Sequence, residues 1–321
     1  MLHIGQKNFE AFLAKEAGGV LAKGPGWVLS RGNETDLCFA HLSLVDPVEL
    51  RAETVNSLAG ELADYFLETS RDERYEAVWP LCFEASSKTG LSSRCRGVEE
   101  AFLEKTSRMA RVMKLAQAGR PGLGASRGLF VYLADFKRAF AARQAWGGGQ
   151  RRMADDPRAP SRSFLKIEEA YLVLREAPQA GETVADLGAA PGGWSYSAAK
   201  RGARVLAVDN GPLKGGAANN PLVRPLAEDA FKFRPALKMD WLFCDLIEEP
   251  RKVLELLRRW AESGWCRKFI VNLKFGRNDP LALLQEALSP RNVLSRSCSV
   301  LRARHLYHDR EEITLAGLLD P

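Results

Sequence analysis

Chemistry is most concentrated in Asp186-Leu187-Gly188-Ala189-Ala190-Pro191-Gly192-Gly193-Trp194-Ser195, entered from the apolar run Thr183-Val184-Ala185. An apolar stretch that ends in an acid, breaks into small residues and proline, and resumes helical spacing through Tyr196, Ala198 and Ala199 predicts strand, tight turn and helix. Small residues at Gly188, Ala189, Gly192 and Gly193 would let a ligand approach the backbone, and open α/β sheets bind nucleotides beyond the carboxyl ends of their strands. A nucleotide-like cofactor is therefore the first expectation. The dinucleotide fingerprint G-x-G-x-x-G is not met, because Ala190 holds the second glycine position and Pro191 follows it, which argues against NAD. Asp209 lies 21 residues beyond Gly188, the reach expected of a carboxylate that accepts hydrogen bonds from ribose hydroxyls. An ordinary βα turn without a ligand is the competing reading of so short a motif.

Several elements must position these groups. After the motif, strands are predicted at 203–209, at 222–226 (weakened by Pro225 and followed by Asp229), at 241–245 and at 269–274, with helices at 253–261 and 281–288 and final strands near 300–306 and 312–315. This alternation implies a doubly wound sheet with acids along one rim. Ahead of the motif, Ser161 or Ser163 is expected to cap a helix that runs through Ala170, with acidic residues in its early turns. The N-terminal half reads as α+β: helices at 8–17, within 49–69 and at 98–118, strands at 27–29, 37–45, 77–85 and 128–133, the last leading towards 136–142. Its aromatic residues are read as core. Glycine and proline enrichment over 146–160 marks a linker between domains at 1–145 and 161–321. Arg143, Arg151, Arg152, Arg158, Arg162 and Lys166 crowd that stretch, as either a solvated linker or a substrate track.

A length of 321 residues suffices for two cores, and 46% apolar with 27% charged residues excludes a disordered or fibrous class. No apolar run reaches membrane-spanning length, and the first residues lack a charged segment followed by an apolar core, so no secretory signal and a cytoplasmic location are expected. Six cysteines without a CxxC pair suggest reduced thiols, and the four histidines form no metal pattern. A net charge of +6 favours an anionic partner.

The segment from Asp186 to Ser195 resembles the S-adenosylmethionine motif of FtsJ-like ribose 2′-O-methyltransferases. In that family a Lys-Asp-Lys-Glu tetrad surrounds the reacting hydroxyl. The resemblance implies Lys166 on the helix before the motif, Asp245 ending the fourth strand, Lys274 ending the fifth in Asn-Leu-Lys, and Glu312 opening the last strand in Arg-Glu-Glu-Ile-Thr. Glu312 is preferred to Glu311 because the family's acid directly precedes the apolar strand. It further implies that Gly188, Ala190, Pro191, Gly192, Gly193 and Trp194 shape the pocket for S-adenosyl-L-methionine, with Ser163 touching it. Asp209 would meet the cofactor's ribose, Asp229 its adenine side and Asp245 its methionine end; no metal is implied.

Segments at 159–170, 208–212, 231–235, 264–267 and 306–312 resemble the RlmM branch, bacterial 23S rRNA cytidine 2′-O-methyltransferases. That resemblance implies a Rossmann-like doubly wound methyltransferase sheet over 161–321, preceded by a smaller α+β THUMP-like RNA-binding domain. The implied partner is 23S rRNA before subunit assembly is complete, with no membrane; the oligomeric state stays open.

A ribose 2′-hydroxyl is a poor nucleophile, so its methylation benefits from a positioned base and an in-line approach to the methyl donor. Lysine is normally protonated, but a second cation and partial burial lower its pKa, an effect Lys166 and Lys274 are expected to exert on each other. Lys274 is the leading base on the strength of the resemblance, with Lys166 orienting the hydroxyl and Asp245 and Glu312 holding the amines; the sequence alone does not order the two lysines. Three alternatives stand beside this. An amino-methylating enzyme would show Asn/Asp-Pro-Pro-aromatic where this chain has Cys244-Asp245-Leu246-Ile247, and a carbon-5 methyltransferase would need a nucleophilic cysteine such as Cys244. A noncatalytic RNA-binding or assembly factor would retain only the fold.

Overall fold

The computed structural model describes residues 1–74 and 76–320, less the side chain of Ala110, and the chain divides into two compact units, Met1–Gly149 and Gln150–Pro321. The first unit runs β1 (Leu2–Ile4), α1 (Glu10–Ala17), β2 (Val20–Gly24), β3 (Trp27–Ser30), β4 (Leu42–Val45), β5 (Val48–Arg51) and α2 (Val55–Ser70). It continues with β6 (Trp79–Ala85), α3 (Leu91–Lys105), a 3-10 turn at Ser107–Met109, α4 (Ala110–Met113), β7 (Ala116–Ala118), β8 (Gly124–Leu133) and β9 (Arg138–Gly147). One mixed sheet holds these strands in the order β2-β3-β1-β4-β9-β8-β6-β7, with β5 also pairing on β9. Alternation along β8 serves two cores. Leu129, Val131 and Leu133 face Leu58, Leu62 and Phe66 of α2 and Phe102 of α3, whereas Phe130 and Tyr132 join Leu2, Ile4, Trp27 and Phe140.

Three expectations shift here. The helix placed within 49–69 begins only at Val55, where Thr54 Oγ1 accepts from Ser57 N at 3.1 Å, because Val48–Arg51 is a strand on β9. The strand expected over 37–45 is confined to Leu42–Val45. The helix expected over 98–118 is broken: α3 starts earlier and stops at Lys105, and Ala116–Ala118 extends the sheet beside β6.

The second unit contains α5 (Phe164–Leu174), β10 (Thr183–Leu187), α6 (Gly193–Lys200), β11 (Arg204–Val208), β12 (Val223–Leu226), β13 (Met239–Cys244) and α7 (Pro250–Glu262). It ends with β14 (Cys266–Lys274), α8 (Pro280–Ala287), α9 (Val293–Ser297), β15 (Cys298–Arg304) and β16 (Glu312–Leu319); α9 is not anticipated by the sequence reading. The sheet order is β12-β11-β10-β13-β14-β16-β15, with β12 through β14 parallel and β16 antiparallel to both of its neighbours. Pro225 is tolerated because β12 is the edge strand. Trp194, Trp241, Phe243, Tyr171 and Ile270 fill the core, with Trp194 edge-on to Phe243 at 5.9 Å. Residues 151–158 are tied to this unit: Glu169 accepts from Arg151 N, His308 Nε2 from Met153 N, and Asp156 Oδ2 from Tyr196 Oη and Lys200 Nζ.

Ser163 occupies the residue before α5 but makes no side-chain cap, because its Oγ pairs with Ser161 Oγ at 2.7 Å, and the first turn of α5 carries no acid. Among the described residues no helix is long and apolar enough to cross a membrane.

Candidate active site

Parallel strands β10, β13 and β14 end at one rim of the sheet, and because β16 runs antiparallel to β14 its first residue lies at that same rim. The register pairs Lys274 with Glu312 and Asn272 with Thr314. Cys244 pairs with Val271, which brings Asp245, one residue on, level with Asn272. From the neighbouring layer, α5 supplies Lys166. These placements close an ionic ring. Lys166 Nζ lies 2.5 Å from Glu312 Oε1 and 3.9 Å from Asp245 Oδ2; Lys274 Nζ contacts Asp245 Oδ1 and lies 3.4 Å from Glu312 Oε2. All four residues of the implied tetrad are thus together and mostly buried. Glu311 is exposed and contributes its backbone carbonyl to Phe275 N, so Glu312 is the acid at this site.

The expected mutual depression of the two lysines does not occur at Lys274. Burial lowers its pKa, but contacts with Asp245 and Glu312 outweigh that and raise it, because the carboxylates stand between the amines. Glu312 is the converse: burial raises its pKa, and Lys166 and Lys274 more than offset this and lower it. Two cations and two anions make a ring with no net formal charge, which is how four ionised groups are tolerated in a buried place.

The cofactor-binding expectations separate into two sets. Gly188, Ala190 and Pro191 are half-buried at the crevice, whereas Gly192, Gly193 and Trp194 are buried against protein. Gly188 has φ +78°, and a Cβ there would fall 2.8 Å from Leu246; at Gly193 a Cβ would fall 2.6 Å from Ser163 Oγ. Close packing of the chain on itself therefore already demands these glycines. Trp194 is core, and its Nε1 donates to Ser163 O at 2.9 Å. Asp209 is half-buried and braces the turn, with Oδ2 accepting from Ala190 N at 2.9 Å and Oδ1 from Gly211 N at 2.7 Å. Each oxygen keeps a second lone pair for a ligand. Asp229 is exposed, accepts from Phe231 N, and is not drawn into the ionic ring.

Sequence reading placed Asp186 in the motif without a role at the site, and missed other groups. Asp186 is buried at the end of β10; its Oδ2 accepts from Ser195 Oγ at 2.6 Å, while Oδ1 has no partner among the described residues. Burial, with Asp245 and Asp209 adding to it, pushes its pKa up to about 7. Glu169, also buried, accepts from the backbone of Arg151, Tyr307 and His308, clamping the loop before β16 to α5; burial pushes it up to about 8 against those bonds. Asn272, Thr314 and Asp309 lie buried behind the ring. A polar Asn272 inside the apolar run Ile270-Val271-Asn272-Leu273 was the available signal. Cys244 is buried and its thiol pushed up to about 12, which makes it a poor nucleophile.

Comparison with known proteins places the chain among methyltransferases by similarity. The model of the FtsJ-like methyltransferase family matches residues 159–261. Proteins named ribosomal RNA large subunit methyltransferase M are similar to the chain: that of Laribacter hongkongensis is 39% identical over 63% of this chain and 62% of its own length, and that of Halorhodospira halophila 40% over 63% and 60%. The one from Marinomonas sp. is 34% identical over 80% of this chain and 75% of its own. The chain thus spans about three fifths of the length of the first two relatives. Given the third, which it matches over three quarters of that protein, the chain belongs to the ribosomal RNA large subunit methyltransferase M family.

Proposed function

We propose that the protein transfers a methyl group from S-adenosylmethionine to a ribose 2′-hydroxyl of 23S rRNA, at a cytidine. The observation that carries this is the ring of Lys166, Asp245, Lys274 and Glu312 at the rim where β10 delivers the Gly188–Pro191 turn. S-adenosylmethionine supplies an electrophilic methyl group on a sulfonium centre. The residues present suit such a cation: Asp186 keeps a buried oxygen without a partner among the described residues, and Asp209 and Asp245 add negative charge around it.

In this reading Gly188, Ala190 and Pro191 form the near wall, Asp209 receives the ribose hydroxyls, and Ser163, Gly192, Gly193 and Trp194 support the wall from behind. Asp229 serves the adenine side from an exposed turn. Lys274 takes the hydroxyl proton and Lys166 orients the oxygen. Lys274 starts as an ammonium held by Asp245 and Glu312, so it must first release a proton; positive charge placed beside Asp245 weakens the hold on that proton. The first unit serves as the THUMP-like RNA-binding domain and presents the rRNA before subunit assembly is complete. Work on the rRNA in the cytoplasm completes the proposal.

The test is transfer of a labelled methyl group to protein-free large-subunit rRNA, followed by nucleoside analysis. Lys274→Ala is expected to lose roughly 100-fold or more in transfer rate while cofactor affinity stays within about twofold. Methylation of bases only, or normal turnover by the variant, would overturn the mechanism.

A further inference from the structure

Behind the ionic ring lies a buried chain of polar groups whose hydrogen count can be closed. Asn272 Nδ2 donates to Asp245 Oδ1 at 3.2 Å; Asn272 Oδ1 lies 2.6 Å from Thr314 Oγ1; Thr314 Oγ1 lies 3.0 Å from Asp309 Oδ2. Asn272, Thr314 and Asp309 are 0%, 3% and 4% exposed, so solvent does not complete their bonding. Asp309 Oδ2 also accepts from Leu306 N at 2.9 Å, and Oδ1 has no partner among the described residues.

A threonine hydroxyl has one proton, yet two oxygens face it here. The amide of Asn272 cannot be turned to supply another, because its oxygen would then oppose the Asp245 carboxylate. Thr314 therefore gives its proton to Asn272 Oδ1, and its contact with Asp309 requires a proton on the acid. If Asp309 were ionised, one of the two short oxygen–oxygen contacts would hold no hydrogen, a buried repulsion.

We propose that Asp309 is a protonated positioning residue, whose carboxyl O–H heads an oriented relay through Thr314 and Asn272 that fixes the Asp245 carboxylate and, through it, Lys274. Its surroundings agree. Burial raises the Asp309 pKa well above the carboxylate range, and Glu312 raises it further, with Glu169 of α5 adding to this; the Leu306 N–H and Lys166 oppose it. The relay matters to catalysis only if the methyltransferase reading holds, whereas the protonation state can be observed without it.

Infrared spectra of the full chain labelled with 13C at the aspartate carboxyls, recorded at pH 8 where Asp186 is largely ionised, should contain a carboxylic-acid C=O band. That band should vanish in Asp309→Asn and shift in Thr314→Val; should Asp309→Asn not fold, Thr314→Val alone carries the assignment. No aspartic-acid band responding to either substitution would overturn the proposal. In the transfer assay Thr314→Val should lower kcat about tenfold with KM for the cofactor nearly unchanged, and Thr314→Ser should restore the rate. Unchanged kcat in Thr314→Val, or a Thr314→Ser variant equally impaired, would sink the relay. A wild-type chain without transferase activity would defeat the functional reading, and the infrared result would then decide the relay by itself.

Discussion

Asp186 and Glu312 are both buried carboxyls of one site, yet their environments push them in opposite directions. Glu312 sits between two ammonium groups that hold it ionised. Asp186 is held protonated up to about pH 7 by burial, with like-charged Asp245 and Asp209 adding to it, against the opposing bond from the Ser195 hydroxyl. Between the unfolded value near 4 and that folded value, the native chain binds a proton at Asp186 that the unfolded chain does not. Stability contributed at this residue is therefore intact below about pH 4, declines as pH rises towards 7, and is level above it. Asp186→Asn removes the titration while keeping an oxygen for Ser195. Denaturant unfolding of both proteins across pH 4 to 8 should show the variant gaining on the wild type up to about pH 7, by a few kcal/mol. A constant difference over the whole range would mean that Asp186 is ionised throughout.

At the scale of elements, the site depends on one antiparallel pairing. Periodicity announced β10, β11, β13 and β14 and the charged residues at their ends, because a buried parallel strand is a short apolar run and its end is marked by a charge. It could not announce that β16 inserts between β14 and β15, since strand neighbours are set by long-range packing. Lys274 and Glu312 were thus legible through resemblance, but their direct opposition was not. The same gap hid the Asn272–Thr314 pair and reversed the expected effect on Lys274. Gly317 tests the pairing: it stands opposite Phe269, and a Cβ there would fall 2.5 Å from the Phe269 ring and 3.1 Å from Val300 O. Gly317→Ala should cost about 1–3 kcal/mol of stability by overpacking, with a lower melting temperature, and should reduce methyl transfer by displacing β16, which carries Glu312. An unchanged melting temperature would show that β16 adjusts without loss and that the register is held elsewhere.

For the whole molecule, the two units divide between Gly149 and Gln150, and the compositional shift over 146–160 does not reveal the allegiance of the stretch around that division. Glycine and proline signal a lack of regular structure, and they are silent on what an irregular segment touches. β9 extends to Gly147 in the first unit, while Arg151, Met153 and Asp156 are bonded to α5, α6 and the loop before β16 in the second. Glu169 makes this consequential: it is buried, and losing the Arg151 N–H would leave a desolvated carboxylate with one fewer donor. A fragment of residues 150–321 should therefore melt cooperatively and bind S-adenosylmethionine about as well as the full chain, whereas residues 161–321 should melt lower and bind it more weakly. Calorimetry on the two fragments measures both quantities. If the first unit holds the RNA, residues 150–321 should also bind large-subunit rRNA at least about tenfold more weakly than the full chain in a filter-binding titration at fixed salt. Equal melting temperatures for the fragments would reduce 150–160 to a tether, and undiminished rRNA affinity would move RNA recognition into the second unit, beside Arg152, Arg158 and Arg162.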